Sequence, residues 1–200
     1  MTMEEYYGAA LPSLQEAIGR LLEIIGQYPA SGRGTEEPSG EVLYVRSRLK
    51  SPESLMAKLK KHGLPLDCAS ALRQMHDIVE IRVVCSFVED VYRICRWISD
   101  RPELSVCQIK DYIAYPKPNG YRSCHMIVSL TDGPGSGIRA EIQLRTIALD
   151  FWAALEHQLK YKQSIPHEDL IRSELKRCAD EIASIDLSMQ TIRELLQEPF

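Results

Sequence analysis

The chain has 200 residues, of which 44% are hydrophobic and 26% charged, and its formal net charge is −4 at pH 7. This composition is typical of about one soluble globular domain, and the charge excludes bulk attraction to nucleic acid or to an anionic membrane, so an anion site requires a local cluster of cations. No apolar run approaches the roughly 20 residues of a membrane helix, and the N-terminus lacks a secretion signal, so we expect a cytoplasmic protein with no membrane partner.

The N-terminal part predicts a helix, a linker, a strand and a second helix. Leucine and isoleucine recur at steps of three and four over residues 12–27, which indicates an amphipathic helix. Residues 29–40 are rich in Pro, Gly and Ser and predict a linker. Residues 42–50 predict a strand whose alternation places three cations on one face, namely Arg46, Arg48 and Lys50. Ser51, followed by proline, predicts the N-cap of a helix that ends at Gly63.

Strands and helices alternate through the middle of the chain. The further predicted strands span 78–87, 104–109, 123–130 and 138–145. The predicted helices span 88–98 and 146–162, the second with Ile147, Phe151, Leu155 and Leu159 on one face. Five strands interleaved with helices predict an α/β or α+β fold.

The last segment carries the most regular pattern. Apolar residues at 171, 175, 178, 182, 185, 189, 192 and 196 repeat every 3.5 residues on average. The pattern fits a long helix on its own domain, and it also fits a helix that packs against a second subunit. We favour a role in assembly, because the repeat is stricter than a core-facing helix requires.

Two strands bring together side chains that suit phosphate chemistry. Alternation over 138–145 puts Glu141, Gln143 and Arg145 on one face, which suits a metal-bridged polyphosphate and a hydroxyl but also fits a solvated sheet face. Asp77 precedes an apolar strand and would join Glu141 in holding Mg²⁺, unless it only pairs with a neighbouring cation. Asp77 and Arg82 are five residues apart, which a regular strand places on opposite faces.

A turn over residues 116–120 leaves Tyr121 available to stack on a base, with His125 four residues later. A tyrosine in a turn is more often a half-buried anchor. Here the surrounding polar residues favour a ligand; they are Lys110, Lys117, Asn119 and Arg122.

Six motifs stand out along the chain: SRLKSPES (47–54), DIVEIR (77–82), KDY (110–112), PKPNGYRSCH (116–125), EIQLRT (141–146) and DFWAALEH (150–157). Together they resemble the synthetase domain of the RelA/SpoT-homologue family, which makes (p)ppGpp in the bacterial stringent response. The chain looks most like the stand-alone small alarmone synthetases of the RelQ type. The resemblance implies a nucleotidyltransferase-like mixed five-stranded sheet flanked by helices.

The resemblance also implies an activity and a domain organisation. It implies a GTP/GDP pyrophosphokinase that moves the β,γ-pyrophosphate of ATP to the 3′-hydroxyl of GDP or GTP, with Mg²⁺ as cofactor, AMP as second product and no hydrolase domain. We expect one synthetase domain over 1–200, with an N-terminal helix (1–28), a catalytic core (41–162) and a C-terminal oligomerisation helix (167–198). We expect a homotetramer. The sequence leaves open the choice of GDP or GTP and allosteric binding of (p)ppGpp or single-stranded RNA.

The resemblance assigns roles to individual residues. Asp77 and Glu141 match the metal ligands, and Glu141 matches the activator of the 3′-hydroxyl. The positions that match ATP-binding residues are Arg48, Lys50, Ser54, Lys58, Lys61 and Arg82, of which Arg48 and Arg82 sandwich adenine. The positions that match GDP- or GTP-binding residues are Lys110, Lys117, Asn119, Tyr121, His125 and Gln143, of which Tyr121 stacks on guanine.

Three positions depart from the family pattern. Val79 and Glu80 replace small residues, and Cys124 replaces an aliphatic residue. No proposed catalytic group is lost, so we expect activity, with Glu80 adding negative charge near ATP. Two other functions stay open: a nucleotidyltransferase that releases pyrophosphate, and a non-catalytic nucleotide- or RNA-sensing module. The carboxylate pair argues against the second, because a binding module needs no positioned base.

Overall fold

A computed structural model describes residues 1–29, 41–160 and 167–197 of the chain. The strands are β1 (Val42–Leu49), β2 (Val79–Cys85), β3 (Leu104–Asp111), β4 (Cys124–Leu130) and β5 (Arg139–Thr146). The helices are α1 (Met3–Tyr7), α2 (Leu11–Gly26), α3 (Pro52–Lys61), α4 (Cys68–Gln74), α5 (Val88–Ser99), α6 (Ile147–Lys160) and α7 (Glu168–Gln197), with a 3₁₀ turn between α1 and α2. Among the described helices, none has a stretch long and apolar enough to cross a bilayer.

The five strands form one mixed sheet in the order β1-β2-β5-β4-β3. β2 and β5 are parallel, and the other neighbouring pairs are antiparallel. The predicted mixed five-stranded sheet with flanking helices is therefore confirmed. Each predicted strand is present, and its ends lie within two residues of the predicted ends.

One face of the sheet is buried under helices α2 and α5. The strands contribute Ile81, Val83, Ile142 and Leu144 to this apolar core, and the helices contribute Leu14, Leu21, Ile94 and Ile98. All eight side chains are at most 1% exposed. Because side chains alternate along a strand, the opposite face, which we call the polar face, carries the intervening residues.

Helix ends follow local capping chemistry. Ser51 Oγ accepts a hydrogen bond from the Ser54 backbone amide, which confirms the predicted start of α3. Helices α1 and α4 were not predicted, because each is too short to show an apolar period. α4 is marked only by its N-cap, where Asp67 accepts from the Ser70 amide at 2.7 Å. Most of the predicted linker, from residue 30 to 40, and the predicted helix end at 161–162 lie outside the described residues.

The C-terminal repeat has two different surroundings along α7. In its first half, Leu175, Cys178 and Ile182 pack near Trp152 of α6, so this part covers the chain's own domain. In its second half the repeat faces outward, and the exposed fractions are 59% for Ile185, 49% for Met189, 50% for Ile192 and 83% for Leu196. The chain's own domain therefore covers the first half of the repeat and leaves the second half exposed, and the role in assembly stays a prediction.

The second half of α7 is attached to α5 by polar contacts instead. Arg193 Nη1 lies 2.7 Å from Asp90 Oδ1, and Gln190 Nε2 lies 3.4 Å from Glu89 Oε2. The predicted apolar face of α6 is also exposed, because α6 buries Leu149, Trp152 and Ala153. Ile147, Phe151, Leu155 and Leu159 are between 42% and 59% exposed.

Candidate active site

Two rows of side chains cross the polar face, because the strand register aligns them. The first row is Arg46 (β1), Arg82 (β2), Gln143 (β5), His125 (β4) and Lys110 (β3). The second row begins with Arg48 (β1), Glu80 (β2) and Glu141 (β5). Paired residues on neighbouring strands project to the same face, so these eight side chains share one surface. The alternation predicted for β1 and β5 is confirmed.

Opposite charges cluster at the β1 side of the polar face. Lys50 Nζ lies 2.8 Å from Asp77 Oδ2 and 3.2 Å from Glu80 Oε1. Lys58 Nζ, from α3, lies 2.6 Å from the same Asp77 oxygen. Arg48 Nε donates to Glu80 Oε2 at 2.6 Å, and Arg48 Nη2 lies 2.6 Å from the same oxygen as an ion pair. The negative charge predicted at Glu80 is thus paired with two cations.

These contacts keep Asp77 ionised. Burial acts to raise the pKa of Asp77, but hydrogen bonds and charge from Lys50 and Lys58 outweigh burial and hold it below its usual value. Burial also acts to lower the pKa of Lys50, whereas Asp77 and Glu80 leave it raised. Asp77 Oδ1 is buried and has no hydrogen-bond partner within the described part of the chain. An ionised carboxylate with one unused oxygen suits a metal ligand.

A closed ring of hydrogen bonds surrounds Glu141 at the β4 side. Glu141 Oε1 is 3.1 Å from His125 Nδ1, and its Oε2 accepts from Gln143 Nε2 at 2.8 Å. His125 Nε2 is 2.7 Å from the Tyr121 hydroxyl. Arg145 Nη2 closes the ring by donating to the Tyr121 hydroxyl at 2.6 Å and to Gln143 Oε1 at 2.7 Å. The ring therefore fixes the orientation of the Glu141 carboxylate.

The ring also keeps Glu141 ionised. Burial alone would raise its pKa, but the hydrogen bond and charge of His125, followed by the hydrogen bond of Gln143, lower the pKa to about 2. The charge of Asp77 acts in the opposite direction. Because an ionised carboxylate only accepts hydrogen bonds, His125 Nδ1 carries the proton of the hydrogen bond between His125 and Glu141.

Arg145 connects this ring to helix α6. Its side chain is buried, and Nη1 donates to Asp150 Oδ1 at 3.0 Å. Asp150, in the first turn of α6, also contacts Arg82 Nη1 at 3.2 Å and accepts from the Tyr44 hydroxyl at 2.7 Å. Sequence reasoning gave no site role to Asp150 or Tyr44. The available signal was the five-residue spacing from Arg145 to Asp150 across a strand–helix junction.

The turn before β4 places a lysine beside the aromatic side chains. Lys117 Nζ lies 4.7 Å from the ring centre of Tyr121 and 4.5 Å from that of Tyr112. Asn119 instead supports the turn: its Nδ2 donates to Glu156 Oε1 of α6 at 3.0 Å, and its Oδ1 accepts from the Tyr121 amide at 3.3 Å. Stacking of Tyr121 on guanine stays a prediction.

Two clefts open on the polar face. The first, of about 220 Å³, we call the arginine cleft; its lining includes Arg46, Arg48, Glu80, Arg82 and Gln143. The second, of about 270 Å³, we call the carboxylate cleft; its lining includes Lys58, His76, Asp77, Lys110 and Glu141. Planar guanidinium groups suit stacking on a base, whereas carboxylates with lysines suit a metal-bound polyphosphate.

Most of the residues predicted to bind ATP or metal line one of the two clefts or contact a residue that does. Asp77 and Arg82 line neighbouring clefts; Asp77 precedes β2, so strand alternation does not govern it. Lys50 connects the two clefts by contacting both Asp77 and Glu80. Ser54 and Lys61 are exposed on α3 and are not among the residues that line either cleft.

Known proteins are similar to this chain over the region that holds the six motifs. A sequence profile for a "Region found in RelA / SpoT proteins" matches residues 47–166. The GTP pyrophosphokinase YwaC of Bacillus subtilis is 37% identical over 154 residues, which cover 76% of this chain and 73% of that protein. The GTP pyrophosphokinase YjbM of the same organism is 32% identical over 166 residues, covering 82% and 77%.

Solved structures agree with the sequence comparison. Small alarmone synthetase 1 of Bacillus subtilis, bound to its product pppGpp, superimposes with a TM-score of 0.79 at 30% identity, covering 98% of each chain. Small alarmone synthetase 2 of the same organism gives a TM-score of 0.77 at 33% identity, covering 93% of this chain and 98% of that one. The chain thus belongs to the RelA/SpoT family, in its group of small alarmone synthetases.

Proposed function

We propose that the chain is a pyrophosphokinase that transfers the β,γ-pyrophosphate of ATP to the 3′-hydroxyl of GDP or GTP. The observation that carries the proposal is the position of Glu141. This ionised carboxylate lies between the charge cluster of Lys50 and Asp77 on one side and the ring with Tyr121 and His125 on the other. The names of the relatives, and the product bound to one of the solved structures, support the same activity.

The β1 side of the site holds the donor in this proposal. Arg48 and Arg82 contact adenine in the arginine cleft, where a guanidinium plane stacks on a base. Lys50 and Lys58, which contact Asp77, act on the phosphates. Phosphate contact by Ser54 and Lys61, which lie outside both clefts, stays a prediction. The lysines stabilise the charge of the migrating pyrophosphate, which is the main requirement of phosphoryl-type transfer.

Asp77 and Glu141 hold Mg²⁺ in this proposal. Both line the carboxylate cleft, and the unused Oδ1 of Asp77 gives the ion a ligand without displacing Lys50 or Lys58. Mg²⁺ favours one or two carboxylates together with substrate phosphates, and when bound it neutralises charge on those phosphates.

The β4 side of the site holds the acceptor. The 3′-oxygen of the guanosine nucleotide attacks the β-phosphorus of ATP, the bond from that phosphorus to the α,β-bridging oxygen breaks, and AMP leaves. Glu141 accepts the proton of the 3′-hydroxyl. A carboxylate with a pKa of about 2 is a weak base. Its main contribution is therefore to orient the hydroxyl, which suits a loose transition state that needs little proton transfer before attack.

The products distinguish this activity from its alternatives. We expect purified protein with Mg²⁺, ATP and GDP to form AMP and ppGpp in equal amounts, resolved by anion-exchange chromatography, and to form neither when GDP is left out. Free pyrophosphate would indicate nucleotidyl transfer instead. Binding of both nucleotides without any product would indicate a sensing module.

We also propose that the protein is a homo-oligomer, with a tetramer as the family-derived expectation. The exposed apolar stripes of α6 and of the second half of α7 are the surface that a second copy covers. Each stripe has four large side chains, which is more contiguous apolar surface than scattered exposure on a monomer explains.

Light scattering tests this assembly. We expect Ile185→Asp with Ile192→Asp to give a smaller, folded species, because both side chains are at least 50% exposed in one chain. Ile182→Asp is the matched control: Ile182 packs near Trp152, so we expect lower thermal stability there. A monomeric wild-type protein would refute the proposal.

A further inference from the structure

Glu80 is a buried carboxylate that the proposed reaction does not use. The register places it beside Glu141 on the neighbouring strand, at the usual separation of about 4.8 Å between strands. Like charges side by side in a sheet repel, so each needs partners of its own. Glu141 finds them on β4 and β5, whereas Glu80 turns to β1 and contacts Arg48 and Lys50.

Both oxygens of Glu80 are occupied by cations. Oε1 lies 3.2 Å from Lys50 Nζ, and Oε2 accepts from Nε of Arg48 and forms an ion pair with its Nη2. The side chain of Glu80 is 8% exposed, whereas that of Arg48 is 61% exposed. The carboxylate is therefore a fixed anchor in the floor of the arginine cleft, and the guanidinium is the accessible group above it.

This pairing determines how Arg48 faces the cleft. A free arginine side chain samples many rotamers, and fixing it on a ligand costs conformational entropy. Here the edge formed by Nε and Nη2 is held by Glu80, which leaves Nη1 and the planar faces for a ligand. Charge-assisted hydrogen bonds of this kind are the stronger class in proteins.

We propose that Glu80 is a positioning residue for the donor nucleotide, because it presents the guanidinium of Arg48 to the base of ATP in the arginine cleft. The inference rests on the proposed function, which takes ATP as the ligand of that cleft. Glu80 would thus be a determinant of donor binding that acts through Arg48.

Binding of the non-hydrolysable ATP analogue AMPCPP, in the presence of Mg²⁺, measures the effect without requiring turnover. In Glu80→Ala we expect about tenfold weaker binding by calorimetry, because the unanchored Arg48 side chain then has to be ordered when the nucleotide binds. Glu80→Gln keeps an acceptor for Arg48 but loses the charge, so we expect an intermediate loss. Glu23→Gln, which makes the same charge change at an exposed position on α2, should bind as the wild type does.

The kinetic constants separate positioning from a general loss of structure. In Glu80→Ala we expect the KM for ATP to rise about tenfold while the KM for GDP changes less than twofold. In an Arg48→Ala background, we expect removal of Glu80 to weaken AMPCPP binding no further, because the group that it positions is gone. Circular dichroism and thermal unfolding verify that the variants are folded, and Glu80→Gln, of nearly the same shape, replaces Glu80→Ala if that variant unfolds.

Three results would overturn the role of Glu80: wild-type AMPCPP binding by the variants, an equal rise of both KM values, or a full further loss of binding in the Arg48→Ala background. These differ from failure of the proposed function, in which the wild-type protein itself makes no AMP and ppGpp although it binds AMPCPP.

Discussion

Gly120 is the point at which the turn before β4 touches helix α7. Its φ is +89°, and a Cβ there would lie 2.6 Å from the Cβ of Ala179 and 3.3 Å from the Cα of Lys176. Gly120→Ala therefore adds backbone strain of about 1–2 kcal/mol to overpacking of about 1–3 kcal/mol. We expect a loss of about 2–5 kcal/mol. At roughly 2–4 °C per kcal/mol for a chain of this size, the midpoint of thermal unfolding falls by about 10 °C.

Gly63→Ala is the matched control for this prediction. Gly63 has a φ of +66°, but an added Cβ there would have no neighbour within 4 Å. Only the backbone strain applies, so we expect a fall of about 2–8 °C by differential scanning calorimetry. Adding Ala179→Gly to Gly120→Ala removes the closest contact and should recover part of the loss. Equal midpoints for Gly120→Ala and Gly63→Ala would refute the reasoning.

Two further predictions concern the acceptor side. His125→Leu removes the hydrogen bond and the charge that do most to hold the pKa of Glu141 at about 2. Because the pKa of Glu141 is lower in the folded protein than its unfolded value of about 4.5, its ionised form stabilises the fold above pH 4.5. This stabilisation is lost as the pH falls toward about 2. The wild type should therefore lose about 2 kcal/mol of it between about pH 5 and pH 3. We expect His125→Leu to lose less than half as much in urea unfolding, and an identical pH dependence would show that His125 does not control Glu141. Tyr121→Ala should weaken GDP and GTP binding by about 1–3 kcal/mol while ATP binding is retained, as measured by calorimetry; equal losses for both nucleotides would make Tyr121 a structural anchor.

The sequence was sufficient wherever a short period determines which side of an element is buried. Ile142 and Leu144 alternate with Glu141 and Gln143 in a single strand, so the buried and polar faces of β5 could be separated without other strands. The N-cap at Ser51 depends on neighbouring residues alone and was also predictable.

The sequence was insufficient wherever register or tertiary contacts decide. The pairing of Arg48 with Glu80 depends on how β1 aligns with β2, which no local pattern specifies. Arg145 meets Asp150 only because α6 begins directly after β5 and folds back over the polar face. On α7, Arg193 contacts Asp90 of α5 while the apolar repeat in the same half of the helix faces outward, and no local pattern specifies that contact.

The most direct test of the account is Glu141→Gln, which keeps the side-chain shape and removes the charge. We expect the rate of ppGpp formation at saturating ATP and GDP to fall by about two to four orders of magnitude, because the orienting carboxylate and one metal ligand are lost. AMPCPP binding should stay within about threefold of wild type, since the adenine contacts lie in the arginine cleft. Near-wild-type turnover in Glu141→Gln would contradict the assignment of this carboxylate as the centre of the reaction.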